Sequence, residues 1–172
     1  DYHNAERGQN IRFELASWRG LHSSEWPVGV YRKAHYHGPG AILVCLKSVG
    51  YVLLWDKKYG IHPYQDGHGD KVVKVNWKAG SIYSPQNGWF HQHFNTGKEP
   101  ARHLALRLAS KSEEEIAGDA DITRLQDGGR LIGYEDEDPE IRRMFRQELR
   151  KNGVKFTMKP VVYRTGPLPQ LP

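Results

Sequence analysis

The chain has 172 residues, enough to bury one sizeable core and short for two, so we expect a single domain over 1–172. Hydrophobic residues make up 38% and charged residues 26%, as in a globular protein, and no apolar run approaches the roughly 18–20 residues that span a bilayer; a membrane-spanning helix is excluded. The formal charge of +5 comes from bases interleaved with acids and without a basic stripe, so small anions are expected partners and nucleic acid is not.

Residues 1–10 show no charged region followed by an apolar run, and no export signal is expected there. From 11 to 109 short β-type runs alternate with turn residues, the pattern of an all-β barrel or sandwich. We expect strands at 11–18, 28–37, 41–47, 51–55, 71–77, 80–84, 89–95 and 102–108, with 56–70 as a long hairpin loop. Gly38-Pro39-Gly40, Val49-Gly50, Pro85-Gln86-Asn87-Gly88 and Asn95-Thr96-Gly97 are the breakers. The lone cysteine, Cys45, excludes an internal disulfide and reads as a buried thiol, which fits a reducing cytoplasm. After Ser110 the pattern changes. Glu113, Glu114 and Glu115 begin a short helical or irregular connector. Asp138-Pro139 then starts a helix with Asp as N-cap and Pro at the first turn, Ile141, Met144, Phe145 and Leu149 form its apolar stripe, and Asn152-Gly153 ends it. Residues 160–172 carry four prolines and read as an extended tail. The barrel core is thus expected at about 11–109, with a helical extension and tail over 110–172.

Nine histidines are present, and four fall in two short segments, His35-Tyr36-His37 and His91-Gln92-His93. On a strand, residues two apart point the same way at roughly 6–7 Å, so each pair can turn two imidazoles toward one ion. A single such pair is more often incidental; two, each beside a Gly/Pro turn, predict a metal site. Trp89, His91, His93 and Asn95 share one face, Gln92 points away, and Asn95 fixes the strand end. On a regular strand Tyr31 and Lys33 share the face of His35 and His37, which makes Lys33 either an anchor for a substrate anion or a solvated edge residue. Trp55, Tyr83, Trp89 and Arg107 read as pocket or core residues, and Lys33, Tyr83, Trp89 and Arg107 are the candidate substrate contacts. His3, His22, His62 and His68 are expected in solvent, and His103 in the core.

These segments resemble the cupin superfamily. Gly29, His35, His37 and Gly50 match its first motif approximately, and Gly80, Pro85, Gly88, His91 and Asn95 its second, with Pro85 displaced by one residue. Over 89–97 the run is also similar to the gentisate-dioxygenase-like cupins. The resemblance covers 28–108 and implies a double-stranded β-helix, the jelly-roll barrel, with the helix C-terminal to it. It further implies one divalent transition metal held by three histidines and a glutamate. That glutamate is missing: Ala41 and Ile42 stand where it is expected. The site is then His35, His37 and His91 with water, or recruits His93 as a fourth ligand. Imidazoles suit Fe(II), our preference, as well as Mn, Ni, Cu or Zn.

Three functions follow. The first is a non-haem iron dioxygenase acting on a small anionic substrate, aromatic acids included. The second is a non-oxidative decarboxylase, isomerase or lyase using the same metal, and the third a non-catalytic small-molecule-binding barrel. Cupins commonly pair through sheet edges, and run 11–18 and the helix predict a homodimer.

Overall fold

The computed structural model describes residues 9–15, 18–37, 41–107 and 124–171, with side chains from residue 21 onward except that of Arg107. Its strands are β1 (Gln9–Leu15), β2 (Trp18–Trp26), β3 (Ala41–Lys47), β4 (Val49–Asp56), β5 (Val73–Lys78), β6 (Ile82–Tyr83), β7 (Trp89–Asn95) and β8 (Ala101–Arg107), followed by helix α1 (Pro139–Lys151). They form a five-stranded sheet, β1-β2-β8-β3-β6, and a three-stranded sheet, β5-β4-β7, with every ladder antiparallel. This is the expected jelly-roll arrangement of two antiparallel sheets, with one helix C-terminal to it. No helix among the described residues is long and apolar enough to cross a membrane.

Two of the expected strands are built differently. The run 11–18 is a hairpin: β1 ends at Leu15, and Trp18 opens β2, which pairs back to Gln9 through Glu25. β2 escapes a search for alternating apolar residues because its inward positions His22 and Ser24 are polar. The segment 28–37 is not a regular strand but lies along the free edge of β7. Arg32 N–H donates to His93 O at 2.9 Å, whereas His35 and His91 exchange both backbone bonds at 3.2 and 2.9 Å. Three steps from Arg32 to His35 therefore oppose two from His93 to His91. The extra residue is a β-bulge, and it reverses facing between Lys33 and the histidines. Loop 56–70 also carries structure, with 3-10 turns at Lys57–Tyr59 and Gly69–Lys71. The connector beginning at Glu113 lies outside the described residues.

Both faces of the three-stranded sheet are buried along β4 and β7, while β5 is largely exposed. Toward the five-stranded sheet, β4 and β7 present Val52, His91 and His93, while Trp77 of β5 lies flat over Gly50, where a Cβ would meet Phe94 O at 1.9 Å and the Trp77 ring at 2.6 Å. On the outer face Tyr51 stacks on Phe94 at 4.4 Å and Tyr31 stacks on the other side at 5.1 Å. Helix α1 covers this aromatic face with Ile141, Phe145 and Leu149, all buried, so its apolar stripe packs within the chain. The N-cap works as the sequence requires and does more. Asp138 Oδ1 accepts from Glu140 N–H at 3.0 Å, while Oδ2 accepts from the backbone of Tyr64 and Gln65 at 2.8 and 2.9 Å, fastening the helix start to loop 56–70.

Candidate metal centre

His35 and His37 on the edge segment and His91 on β7 bring one ring nitrogen each within 4.8 Å of one another, and all three side chains are buried. Ring centroids lie 4.3 Å apart for His35 and His91, 4.6 Å for His37 and His91, and 5.8 Å for His35 and His37. Two local features set this geometry. The backbone exchange between His35 and His91 places those rings side by side. Gly88, at φ +74° in the turn before β7, donates its N–H to His37 O at 3.2 Å and ties the second histidine to the same strand start. The Nδ1 of His91 lies 3.2 Å from Trp89 O, and that of His35 lies 3.4 Å from Lys33 O. With Nδ1 turned to a carbonyl, Nε2 is left as the ligand atom in both rings. An ion about 2.0–2.1 Å from each nitrogen needs N···N separations of about 3.3 Å, within reach of small ring rotations from this cluster. The three residues fit a divalent transition metal.

The triad opens into a cavity of about 30 Å³ between the two sheets. His93, His103 and His22 line it too, beside Arg32, Trp26 and Ala41. No Asp or Glu lines it among the described residues. Three neutral imidazoles leave a divalent ion's charge uncompensated, and the guanidinium of Arg32, buried and 5.5 Å above the Trp26 ring, adds to it. Ala41 faces this space while Ile42 points outward, so Ala41 occupies the position where a cupin glutamate is expected.

Beside the triad lies a second group of rings. Tyr83 Oη is 2.7 Å from His93 Nδ1 and 3.3 Å from His103 Nδ1. His103 packs edge-on against Trp77 at 4.5 Å and Trp26 at 4.8 Å. Burial is the main force on all three. It pushes His93 well below its usual range, with the neighbouring imidazoles and Arg32 adding to the shift, brings His103 down to about 3, and raises Tyr83. Both shifts favour the uncharged imidazole.

The expected site residues distribute unevenly. His93 lines the cavity but stands outside the set of three converging nitrogens. Lys33 does not share the histidines' face: the bulge turns it outward, with Nζ 5.2 Å over the Tyr134 ring, and Arg32 takes the inward place. Trp89 is half-buried at the start of β7 and is not part of the lining; its carbonyl faces His91 Nδ1. Arg107 pairs with Ala41 in the ladder, and its side chain lies outside the described part. Tyr83 contacts the cavity through His93 and His103. Trp55 is core, stacked on Phe90 at 5.2 Å. Gln92 points away, donating to Glu137 at 3.1 Å. Asn95 fixes the strand end, accepting from Ser48 Oγ at 2.8 Å and donating to Glu99 O at 2.9 Å. Cys45 is buried, and burial pushes its thiol up to about 12. His62 is tied to Asp136 O at 2.9 Å and His68 leans on Tyr59, neither near the triad, while His3 lies outside the described residues. Sequence reasoning missed Arg32 and His22. The period-two series His22, Ser24, Trp26 was the available signal for the latter.

No protein-family model matches the sequence, and no curated protein matches it. Among solved structures the chain is similar to CapF with the inhibitor 3-isopropenyl-tropolone, at TM-score 0.50 and 11% identity over 64% of this chain and 31% of that chain. It is also similar to the Drosophila melanogaster CENP-C cupin domain, at TM-score 0.43 and 12% identity over 57% of this chain and 65% of that one. A recombinant oxalate oxidase in complex with glycolate is similar at TM-score 0.47 and 18% identity, over 61% and 52%. The chain thus spans less than two thirds of each of these. At such identities the likeness concerns the fold alone.

Proposed function

We propose that the chain is a mononuclear metal-dependent cupin enzyme of dioxygenase type, carrying Fe(II) and acting on a small anionic substrate. The observation that carries this reading is the convergence of three buried imidazoles, His35, His37 and His91, on a cavity that holds a buried arginine and no lining carboxylate among the described residues. His35, His37 and His91 would hold the ion. Arg32 offers the substrate's negative charge a partner, the place first assigned to Lys33 or Arg107. A divalent transition ion supplies Lewis acidity and, as iron, electron transfer to O₂. The similarity of 89–97 to gentisate-dioxygenase-like cupins supports the oxidative branch. The unpaired thiol of Cys45 supports a cytoplasmic setting.

Elemental analysis of untagged protein, beside a His35→Ala/His91→Ala variant, tests the site. Near-stoichiometric iron lost in the variant, with O₂ uptake on adding short-chain acids, is the expected result. Turnover without O₂ on Mn, Ni or Zn would move the chemistry to decarboxylation, isomerisation or elimination. Failure to hold any metal after reconstitution would overturn the enzyme reading in favour of a binding barrel.

A further inference from the structure

A phenol has one proton to donate, and Tyr83 faces two imidazole nitrogens. At 2.7 Å from His93 Nδ1 and 3.3 Å from His103 Nδ1, it makes both contacts and uses its own proton when it donates to one ring and accepts from the other, which makes the two rings opposite tautomers. The shorter contact is that of an O–H donating to a ring nitrogen, the longer that of a ring N–H donating to the phenol oxygen. His93 then carries its proton on Nε2 and has its Nδ1 lone pair occupied by Tyr83. His103 carries its proton on Nδ1, and its Nε2 is a bare acceptor, buried without a hydrogen-bond partner.

We propose that Tyr83 is a positioning residue that locks His93 as an Nε2–H hydrogen-bond donor beside the metal, making it a contact for an anionic ligand's oxygen and barring it from serving as a fourth metal ligand. A ring with Nε2 protonated and Nδ1 engaged has no lone pair for a cation. This accounts for the position of His93: it lines the same cavity as the triad, its ring 5.5 Å from that of His91, yet it stands outside the converging set. With Arg32 opposite it in the backbone pairing, His93 gives the cavity one directional donor next to one fixed positive charge. That is the requirement of a carboxylate with one oxygen turned to each. His103, held between Trp26 and Trp77, cannot swing to relieve Tyr83 of its second contact. The role of the anion rests on the function proposed above; the tautomer assignment does not.

Long-range ¹H–¹⁵N correlation spectra of histidine-labelled, metal-free protein read the tautomers directly. The expected pattern is pyrrole-type Nε2 and pyridine-type Nδ1 for His93, and the reverse for His103. The protein is next loaded with zinc, which is diamagnetic, and titrated with acetate. The His93 Nε2–H resonance should move saturably with acetate and should not report zinc ligation. In Tyr83→Phe, checked for folding by circular dichroism, His93 should lose its single tautomer and acetate should bind at least tenfold more weakly while zinc remains 1:1. A pyridine-type Nε2 on His93, a direct zinc shift at that nitrogen, or unchanged acetate affinity in the variant would each overturn the proposal. Wild-type protein that binds no zinc would overturn the metal reading and the anion role together, and the metal-free spectra would still decide what Tyr83 does.

Discussion

Glu137 lies on the far side of β7 from the metal centre, wholly buried, and burial raises its carboxyl from the ordinary 4.5 to about 7, against the opposing pull of hydrogen bonds from Tyr31 and Gln92 and of the charge on Arg142. A raised folded-state pKa means that the protonated form fits the fold better than the ionised one. Stability from this group is therefore complete below about pH 4.5 and is lost as pH rises through 7. The shift of 2.5 between the two values, at about 1.4 kcal/mol per pH unit, amounts to roughly 3 kcal/mol. Glu137→Gln should remove that dependence with little rearrangement. The amide oxygen still accepts from Tyr31, and Gln92, whose Oε1 is buried without a partner, can turn its amide to accept from the new NH₂. Thermal melts of both proteins from pH 4.5 to 8.5 make the comparison, and the acid-side loss due to His103 is common to both and cancels. The two should melt together near pH 4.5. Above pH 7 the variant should melt about 6–12 °C higher, since about 1 kcal/mol moves the midpoint 2–4 °C in a chain of this size. Parallel curves, or a variant less stable throughout, would refute this: Arg142 would then be holding the carboxylate ionised in the fold.

Ala41→Glu puts a carboxylate where the cavity has none, so metal should bind at least about tenfold tighter in a chelator competition, while anion binding weakens; unchanged metal affinity would mean that Ala41 does not face the ion. Arg32→Gln should leave metal stoichiometry intact and weaken binding of short carboxylates by about 10- to 100-fold, read by titration of the metal-loaded protein. Phe145→Ala empties the contact between α1 and the stacked Tyr31, Phe94 and Tyr51, and chemical denaturation should show a loss of about 3–5 kcal/mol. Ile42, Leu46 and Ile82 leave exposed apolar side chains on β3 and β6, the surface we propose for a second copy; light scattering should give a dimer, Ile82→Lys should shift it toward monomer, and a wild-type monomer would dismiss it.

What the sequence discloses and what it hides follow from one physical difference. β3 and β7 were legible to the residue, because the outward and inward faces of β7 are both buried and the turns around it need Gly and Pro. Helix α1 was equally legible through its N-cap, its Pro and its stripe at helical spacing. β2 was hidden for the opposite reason: its inward residues are polar because they line a site, and a search for apolar alternation discards such a strand. The same holds at the bulge between Arg32 and His35. Neither Lys33 nor Ala34 signals an inserted residue, yet the insertion decides which of two adjacent cations faces the histidine cavity. The Arg32–His93 and His35–His91 pairings cannot both be satisfied without it, so the irregularity is what lets a guanidinium and the three converging imidazoles share one face. Deleting Ala34 leaves two steps against two, so Arg32 should stay paired with His93 and face inward, Lys33 should lie opposite Gln92 and face outward, and both metal binding and the preference for carboxylates over neutral ligands should survive; loss of that preference would show that the edge segment does not re-form in this register.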